Sequence, residues 1–201
     1  MTCLCLTRNR LSWLLKAIES YRRQTYRSRE LLIVADGEDQ RESVPLADDI
    51  RYLWLAGKST IGHKRNVGCE AARGQVIAHW DDDDYSAPGR LADQVARLES
   101  SGKAVTGYNA LRFTDGREWW EYRHRSATYA PGTTLCYRRD WWQSNKFNDR
   151  EHVGEDFSFS RRAWQSGELV VADAGDLMHA TIHSGNTSPR QLCGPNWSKL
   201  S

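Results

Sequence analysis

Gln75-Val-Ile-Ala-His-Trp-Asp-Asp-Asp-Asp84 is an apolar run that carries four consecutive carboxylates to its own end. Adjacent carboxylates repel one another, and no packed core accepts them unpaired. A strand-like run that ends in such a cluster implies that a cation is expected there. Hard oxygen ligands suit Mg²⁺ or Mn²⁺, with phosphates of a nucleotide completing the shell. The plainer alternative for four acids in a row is a solvated acidic turn. The sequence on either side decides between the two.

Upstream, Thr2 to Thr7 reads as a short buried strand that stops at Arg8-Asn9-Arg10. Leu11, Leu14, Leu15 and Ile18 then follow the spacing of an amphipathic helix. Leu31-Leu-Ile-Val-Ala35 is continuously apolar, as a strand covered on both faces must be, and it ends at the turn signal Asp36-Gly37. Ile50 to Leu55 is a third strand, and Ile61 to Arg73 a helix for which Gly74 serves as C-cap. After the acidic run, Pro88 suits the first turn of a helix continued by Leu91, Val95 and Leu98. Strand and helix alternate throughout this half, which predicts an α/β fold with a mostly parallel sheet. Ligands of such sheets bind beyond the carboxyl ends of the strands. Thr7-Arg8-Asn9, Asp36 and Asp81 to Asp84 all stand at predicted strand ends and are expected to converge.

The second half reads differently. Val105 to Phe113 and Glu118 to Arg123 flank Thr114-Asp-Gly-Arg117, a hairpin turn. Thr133 to Tyr137, Leu169 to Ala172 and Leu177 to Ile182 are strand candidates, Glu155 to Trp164 a helix, and the tail after Pro189 is expected to be irregular. The chain of 201 residues is long enough to bury a full core, and no linker or low-complexity segment divides it. With 28 Lys and Arg against 26 Asp and Glu it is only faintly basic, which argues against a dedicated nucleic-acid binder. Five cysteines without zinc spacing or a CxxC pair suit reduced thiols in a cytoplasmic protein, and no apolar segment reaches the length of a transmembrane span. Nine tryptophans include the doublets Trp119-Trp120 and Trp141-Trp142; neighbours in an element point different ways, so one of each pair is expected to face outward, where it could stack on a sugar or base.

In this order, the motifs resemble those of the family 2 glycosyltransferases of the GT-A fold. The resemblance is carried by Leu6-Thr-Arg-Asn-Arg10, Glu30-Leu-Leu-Ile-Val-Ala-Asp-Gly37 and Gly62-His-Lys-Arg-Asn-Val-Gly68. It continues through Ala72-Arg-Gly74, Val76 to Asp84 with Pro88, Gly154-Glu-Asp156 and His183-Ser-Gly-Asn-Thr-Ser188. It implies a single domain over residues 1–201: a Rossmann-like nucleotide-binding half (1–100), with helices on both faces of its sheet, merged with a small acceptor and catalytic-base half (101–201). The implied reaction is inverting transfer of one sugar from a nucleotide-sugar, most often a UDP-sugar, with Mn²⁺ or Mg²⁺ as cofactor. The acceptor would be a glycan, lipid-linked, protein or DNA hydroxyl.

On that resemblance Leu6, Thr7 and Arg8 line the nucleotide site, Asp36 contacts the base and Arg65 stands near the base and diphosphate. Asp81 and Asp83 match the acids of the DxD motif, with Asp83 the direct metal ligand and Asp81 and Asp82 nearer the ribose and bound waters. His183 matches a late metal or diphosphate ligand. Asp156 matches the general base, which takes the acceptor's proton as its oxygen attacks the anomeric carbon. Glu155, Trp119 and Trp120 are the acceptor-side candidates. Two departures stand out: Ala35 replaces the first of two acids usual before Gly37, and Arg8 stands where an aromatic is common.

Three other readings compete. A sugar nucleotidylyltransferase would need a Gly-rich phosphate loop near the N-terminus, and Thr7-Arg-Asn-Arg10 has no glycine. A non-catalytic carbohydrate-binding protein would use the tryptophans but leave Asp81 to Asp84 and Asp156 without a purpose. A nucleic-acid acceptor, as in phage DNA-modifying glucosyltransferases, would use Arg22-Arg23, Arg27, Arg29, Arg123 to Arg125, Arg138-Arg139 and Arg161-Arg162 on phosphates, against the alternative that these arginines pair with nearby acids.

Overall fold

Leu31 to Ala35 is buried at every position, as a run without polar alternation requires of a strand covered on both sides. The structure, a computed structural model, describes residues 1–187 and 192–200. Its first half runs β1 (Thr2–Arg8), α1 (Leu11–Arg22), β2 (Glu30–Asp36), β3 (Ile50–Leu55), α2 (Ile61–Ala71) and β4 (Val76–His79). These strands lie parallel in the order β4-β1-β2-β3, with Leu4 opposite Leu32 and His79. Helices cover both faces because successive side chains alternate across each strand. Cys3, Cys5, Leu31 and Ile33 pack against Leu14 and Ile18 of α1. Leu4, Leu32 and Val34 face the other way, toward Cys69 of α2. Each fully buried Leu or Ile contributes about 1.5–3 kcal/mol, so the two layers hold the parallel strands flat against one another.

The chain continues through β5 (Tyr85–Ser86), α3 (Arg90–Ser101), β6 (Val105–Thr114), β7 (Trp119–Arg123), β8 (Cys136–Arg138) and α4 (Arg139–Ser144). It ends with α5 (Glu155–Gln165), β9 (Leu169–Asp173), β10 (Met178–Thr181) and β11 (Trp197–Leu200). Antiparallel β8 joins β4 to the ten-residue β6, so among the described residues one mixed sheet passes through both halves. β10 pairs with β6 and with β5, which ties the segment after the acidic run to the far half. Leu91 and Leu98 of α3 join the α1 layer, while Trp142 of α4 and Phe159 of α5 join the α2 layer.

Four expectations need correction. The second helix ends at Ala71 with Ala72 extended, so Gly74 is not its C-cap. A Cβ on Gly74 would stand 2.5 Å from the backbone of Met1 and Thr2, so that glycine serves close chain approach. Gly74→Ala is therefore expected to cost about 1–3 kcal/mol through overpacking, read as a lower urea midpoint at unchanged slope. The third helix begins at Arg90, two residues beyond Pro88, and Thr133–Thr134 belong to a 3-10 turn rather than to β8. The tail is not wholly irregular: Trp197 packs on Phe113 and Tyr122, and β11 extends the sheet beside β7. The first residues of that tail, and Ser188 of the late motif, lie outside the described residues. No helix among the described residues is long and apolar enough to cross a membrane.

Candidate active site

The carboxyl ends of the strands converge as a parallel sheet demands, on a cleft of about 590 Å³. Leu6, Thr7 and Arg8 reach it from β1, Lys64 and Arg65 from α2, Asp81 to Asp84 from the end of β4, and Glu155 and Asp156 from the start of α5. Asn9 makes the turn after β1 possible: it adopts φ 53°, and its Oδ1 accepts from the Glu38 amide beyond β2. Gly37, at φ 91°, leaves the room that this contact uses, since a Cβ there would collide with Asn9 Oδ1.

Four identical residues acquire different environments. Asp81, Asp83 and Asp84 each present an oxygen within 4.8 Å of the others. Asp82 turns away: it is buried, accepts from Thr7 Oγ1 at 2.7 Å and pairs with Arg10 Nη1 at 2.8 Å. Asp84 is gripped from two elements, by the Thr181 amide at 3.0 Å and by the Thr133 hydroxyl. Burial, then the neighbouring charges of Asp83 and Asp81, pushes Asp84 up to about 8. Burial likewise raises Asp82 to about 7 against the pull of Arg10, and raises Asp81 with help from Asp83. Three carboxylates crowded so closely form a donor set suited to a hard divalent cation.

Asp83 is the junction of this cluster. Its Oδ2 receives Arg10 Nη2 at 2.7 Å, His183 Nε2 at 2.9 Å and Asn186 Nδ2 at 3.3 Å. The Gly185 amide donates to His183 Nδ1 at 3.1 Å, while Nε2 lies 2.9 Å from Asp83 Oδ2 and 3.1 Å from Arg10 Nη2. His183 also stacks on Trp13, with centroids 4.8 Å apart. It thus sits behind Asp83 rather than within the three-carboxylate group.

Asp36 and Arg65 are tied to partners. Asp36 lies below the cleft wall, paired with Lys64 at 2.9 Å and Arg8 at 3.2 Å and accepting from the Ser59 amide. Burial would raise its carboxyl, but Lys64 and that amide prevail and hold it below the ordinary value. Arg65 lines the cleft with its guanidinium 3.0 Å from Glu155, both side chains being buried. Burial foremost raises Glu155, against the pull of Arg65.

Asp156 stands at the first turn of α5, where the helix dipole favours a carboxylate. Its Oδ2 accepts from the Gly132 amide at 2.7 Å and from the Tyr129 hydroxyl at 3.0 Å. A Cβ on residue 132 would lie 2.7 Å from that oxygen, so glycine is needed for the approach. Buried side chains hold the turn that supplies the amide. His79 Nδ1 meets Gly132 O at 2.6 Å, Arg90 donates to Thr133 O at 2.8 Å and Gln94 to Thr134 O at 2.6 Å. Burial, then the charge of Arg65, pushes His79 well below its usual range, so it serves as a neutral donor to that carbonyl. The same turn therefore touches Asp156 through Gly132 and Asp84 through Thr133.

The expectation of one exposed tryptophan in each doublet is met by the first pair and not by the second. Trp119 is exposed, but neither it nor Trp120 lines the cleft; Trp119 borders a separate groove with Arg112 and Lys199, and Trp120 packs into the β6–β10 core. Of the other doublet, Trp142 is buried with Nε1 on Asn66, and Trp141 is half-buried. Several arginines of the candidate phosphate surface bond within the chain: Arg29 to the Tyr26 carbonyl, Arg123 to Asp173, Arg139 to the Cys69 and Glu70 carbonyls, and Arg162 to those of Asn145 and Lys146. Arg10, Lys64, Tyr129, Gly132 and Thr133 are cleft residues that the sequence reading did not single out. Arg10 and Lys64 stood inside quoted motifs, whereas nothing local marks the other three.

The sequence profile of glycosyl transferase family 2 matches residues 3–163. The chain belongs to that family. This family 2 glycosyltransferase is 24% identical, over 93% of its length and 76% of the relative's, to the uncharacterized glycosyltransferase YwdF of Bacillus subtilis strain 168. It is 26% identical to the putative glycosyltransferase EpsH of the same strain, over 87% of this chain and 58% of that one. The S. aureus TarS 1-349 structure in complex with UDP-GlcNAc superposes with a TM-score of 0.75 at 18% identity, covering 92% of this chain and 59% of that one. The TarS complex with UDP gives 0.73 at 19% identity, over 90% and 60%. Likeness at that identity shows the fold, which is the mixed α/β GT-A arrangement. The chain spans about three fifths of the length of these solved structures.

Proposed function

We propose that this glycosyltransferase moves one sugar from a UDP-sugar to an acceptor hydroxyl, with inversion and with a divalent metal, residues 1–100 serving the donor and 101–201 the acceptor. The observation that carries the reading is one cleft holding both the Asp81–Asp83–Asp84 group and a carboxylate, Asp156, fixed by a backbone amide. The UDP-bound structures that share the fold support UDP as the nucleotide. Asp83, Asp81 and Asp84 would hold Mn²⁺ or Mg²⁺, which neutralises charge on the departing diphosphate. Asp156 takes the proton from the acceptor oxygen as that oxygen bonds to the anomeric carbon and the bond from that carbon to the diphosphate breaks. Arg8, Lys64 and Arg65 give the cleft positive charge for the nucleotide, with Lys64 and Arg8 oriented by Asp36 and Arg65 by Glu155.

Calorimetric titration with UDP and a panel of other nucleotides, each with Mn²⁺ and with chelator, tests the reading. Metal-dependent UDP binding is expected; no binding of any nucleotide would favour carbohydrate binding without catalysis.

The raised carboxyls predict a pH dependence with a definite sign. Asp84 near 8 and Asp82 near 7 stand above the 3.8 of a free aspartate, so the folded chain holds more protons than the unfolded one across that window. Stability in chelator is expected to fall as pH rises from about 4 to about 8, and Mn²⁺ affinity to rise over the same range with proton release. Melting curves in chelator and Mn²⁺ titrations in two buffers of different ionisation enthalpy check this; a flat profile in both would contradict it.

A further inference from the structure

Arg10 spans the acidic cluster as a two-pronged clamp. Nη1 lies 2.8 Å from Asp82 Oδ1 and Nη2 lies 2.7 Å from Asp83 Oδ2, while Nη2 also reaches the Gly185 carbonyl at 3.1 Å. The side chain is 22% exposed, so these charge-assisted bonds are little screened by solvent. Asp83 Oδ2 already accepts from Arg10, His183 and Asn186, which is more than its two lone pairs provide for. A metal ion that takes that oxygen competes for it with Arg10, the nearest and the charged partner. A guanidinium released there has five N–H donors to satisfy, and the ligands expected in this cleft bring phosphate oxygens to the same place.

We propose that Arg10 is a resident counter-cation of the acidic cluster that a divalent metal displaces and a nucleoside diphosphate then receives, so that metal and nucleotide bind as a linked pair. The inference rests on the donor-site reading above. Metal alone must break the Arg10 contacts without recompense; metal arriving with a diphosphate leaves Arg10 paired. The linkage is reciprocal: UDP tightens Mn²⁺ binding by the factor with which Mn²⁺ tightens UDP binding. Arg10 thereby disfavours a metal-loaded cleft that lacks a donor.

Mn²⁺ binding is measured by electron paramagnetic resonance, with and without UDP, on the wild-type chain, Arg10→Ala and Arg8→Ala. Wild type is expected to show UDP tightening Mn²⁺ binding within the 5–150-fold span of roughly 1–3 kcal/mol couplings. Arg10→Ala is expected to bind Mn²⁺ alone about fivefold or more tightly, with that coupling reduced toward one. Arg8→Ala removes the same charge from the same cleft, but its guanidinium pairs with Asp36; it should leave affinity for Mn²⁺ alone within about twofold of wild type. Equal tightening in both variants, or unchanged Mn²⁺ affinity in Arg10→Ala, overturns the role of Arg10. If Mn²⁺ binds wild type neither alone nor with UDP, the metal reading itself fails and this inference with it. Should Arg10→Ala not fold, Arg10→Lys, whose single ammonium nitrogen lacks the separate Nη1 and Nη2 prongs, is expected to tighten Mn²⁺ by an intermediate factor, and no change there is equally adverse.

Discussion

Asp156→Asn is expected to slow transfer by roughly 10²–10⁴-fold, the span that a positioned general base contributes. The amide side chain keeps an oxygen that can accept from the Gly132 N–H and the Tyr129 hydroxyl, so the local fold has reason to survive. It cannot take a proton from an attacking hydroxyl. Nothing in Asp156 touches Asp81, Asp83 or Asp84, so UDP affinity in Mn²⁺ should stay within about threefold of wild type while turnover falls. The pairing of those two results is what identifies a base. Lost turnover together with lost UDP affinity would mean that α5 had moved. Turnover within about threefold of wild type would move the role elsewhere. Glu155, the adjacent carboxylate, is a poor substitute because its charge is engaged with Arg65 and its side chain is buried.

The donor half was legible because its information is local. Leu31 to Ala35 has to be a two-sided strand, and strands that alternate with helices have to run parallel, so their carboxyl ends must meet. Thr7, Arg8 and Asp81 to Asp84 do meet in the cleft. What the sequence could not do was distinguish the four acids. Asp82 is set apart by Thr7 and Arg10, 75 and 72 residues earlier, and Asp84 by Thr133 and Thr181, 49 and 97 residues later. Identical neighbours with partners that remote carry no local signature.

The same limit explains the other surprises. Gly132 reads in sequence as a loop glycine; its purpose appears only when α5 brings Asp156 against it. Gly74 matched the C-cap pattern in position, yet the pressure on it comes from Met1 and Thr2 at the other end of the half-domain. One of Trp119 and Trp120 is expected to face outward and Trp119 does, but exposure does not say toward which surface, and β7 points it at a groove away from the cleft. Trp197–Leu200 has too little alternation to announce a strand, and it becomes one because β7 offers an edge and Phe113 and Tyr122 receive Trp197.

Asp83→Ala is expected to remove the metal-dependent part of UDP binding. Outer partners of a metal ligand are worth about 10–100-fold in affinity, so loss of a ligand should cost at least that much. Three features make Asp83 the severe position. It is one of the three carboxylates that converge, it is the acceptor shared by Arg10, His183 and Asn186, and its charge helps raise both Asp81 and Asp84. On the proposed site its removal takes away a ligand, and with it the partner of His183 and Asn186. Asp82→Ala is the informative comparison, since it deletes the same charge one residue away from a carboxylate bound to Thr7 and Arg10. UDP titrations with and without Mn²⁺ should show Asp83→Ala indifferent to metal and Asp82→Ala still responsive to it. Equal losses in the two would mean that the run acts as a diffuse negative patch, because a field depends on net charge whereas coordination depends on which oxygens converge. Unchanged Mn²⁺-dependent affinity in Asp83→Ala would place the metal, if it binds, on a different set of ligands.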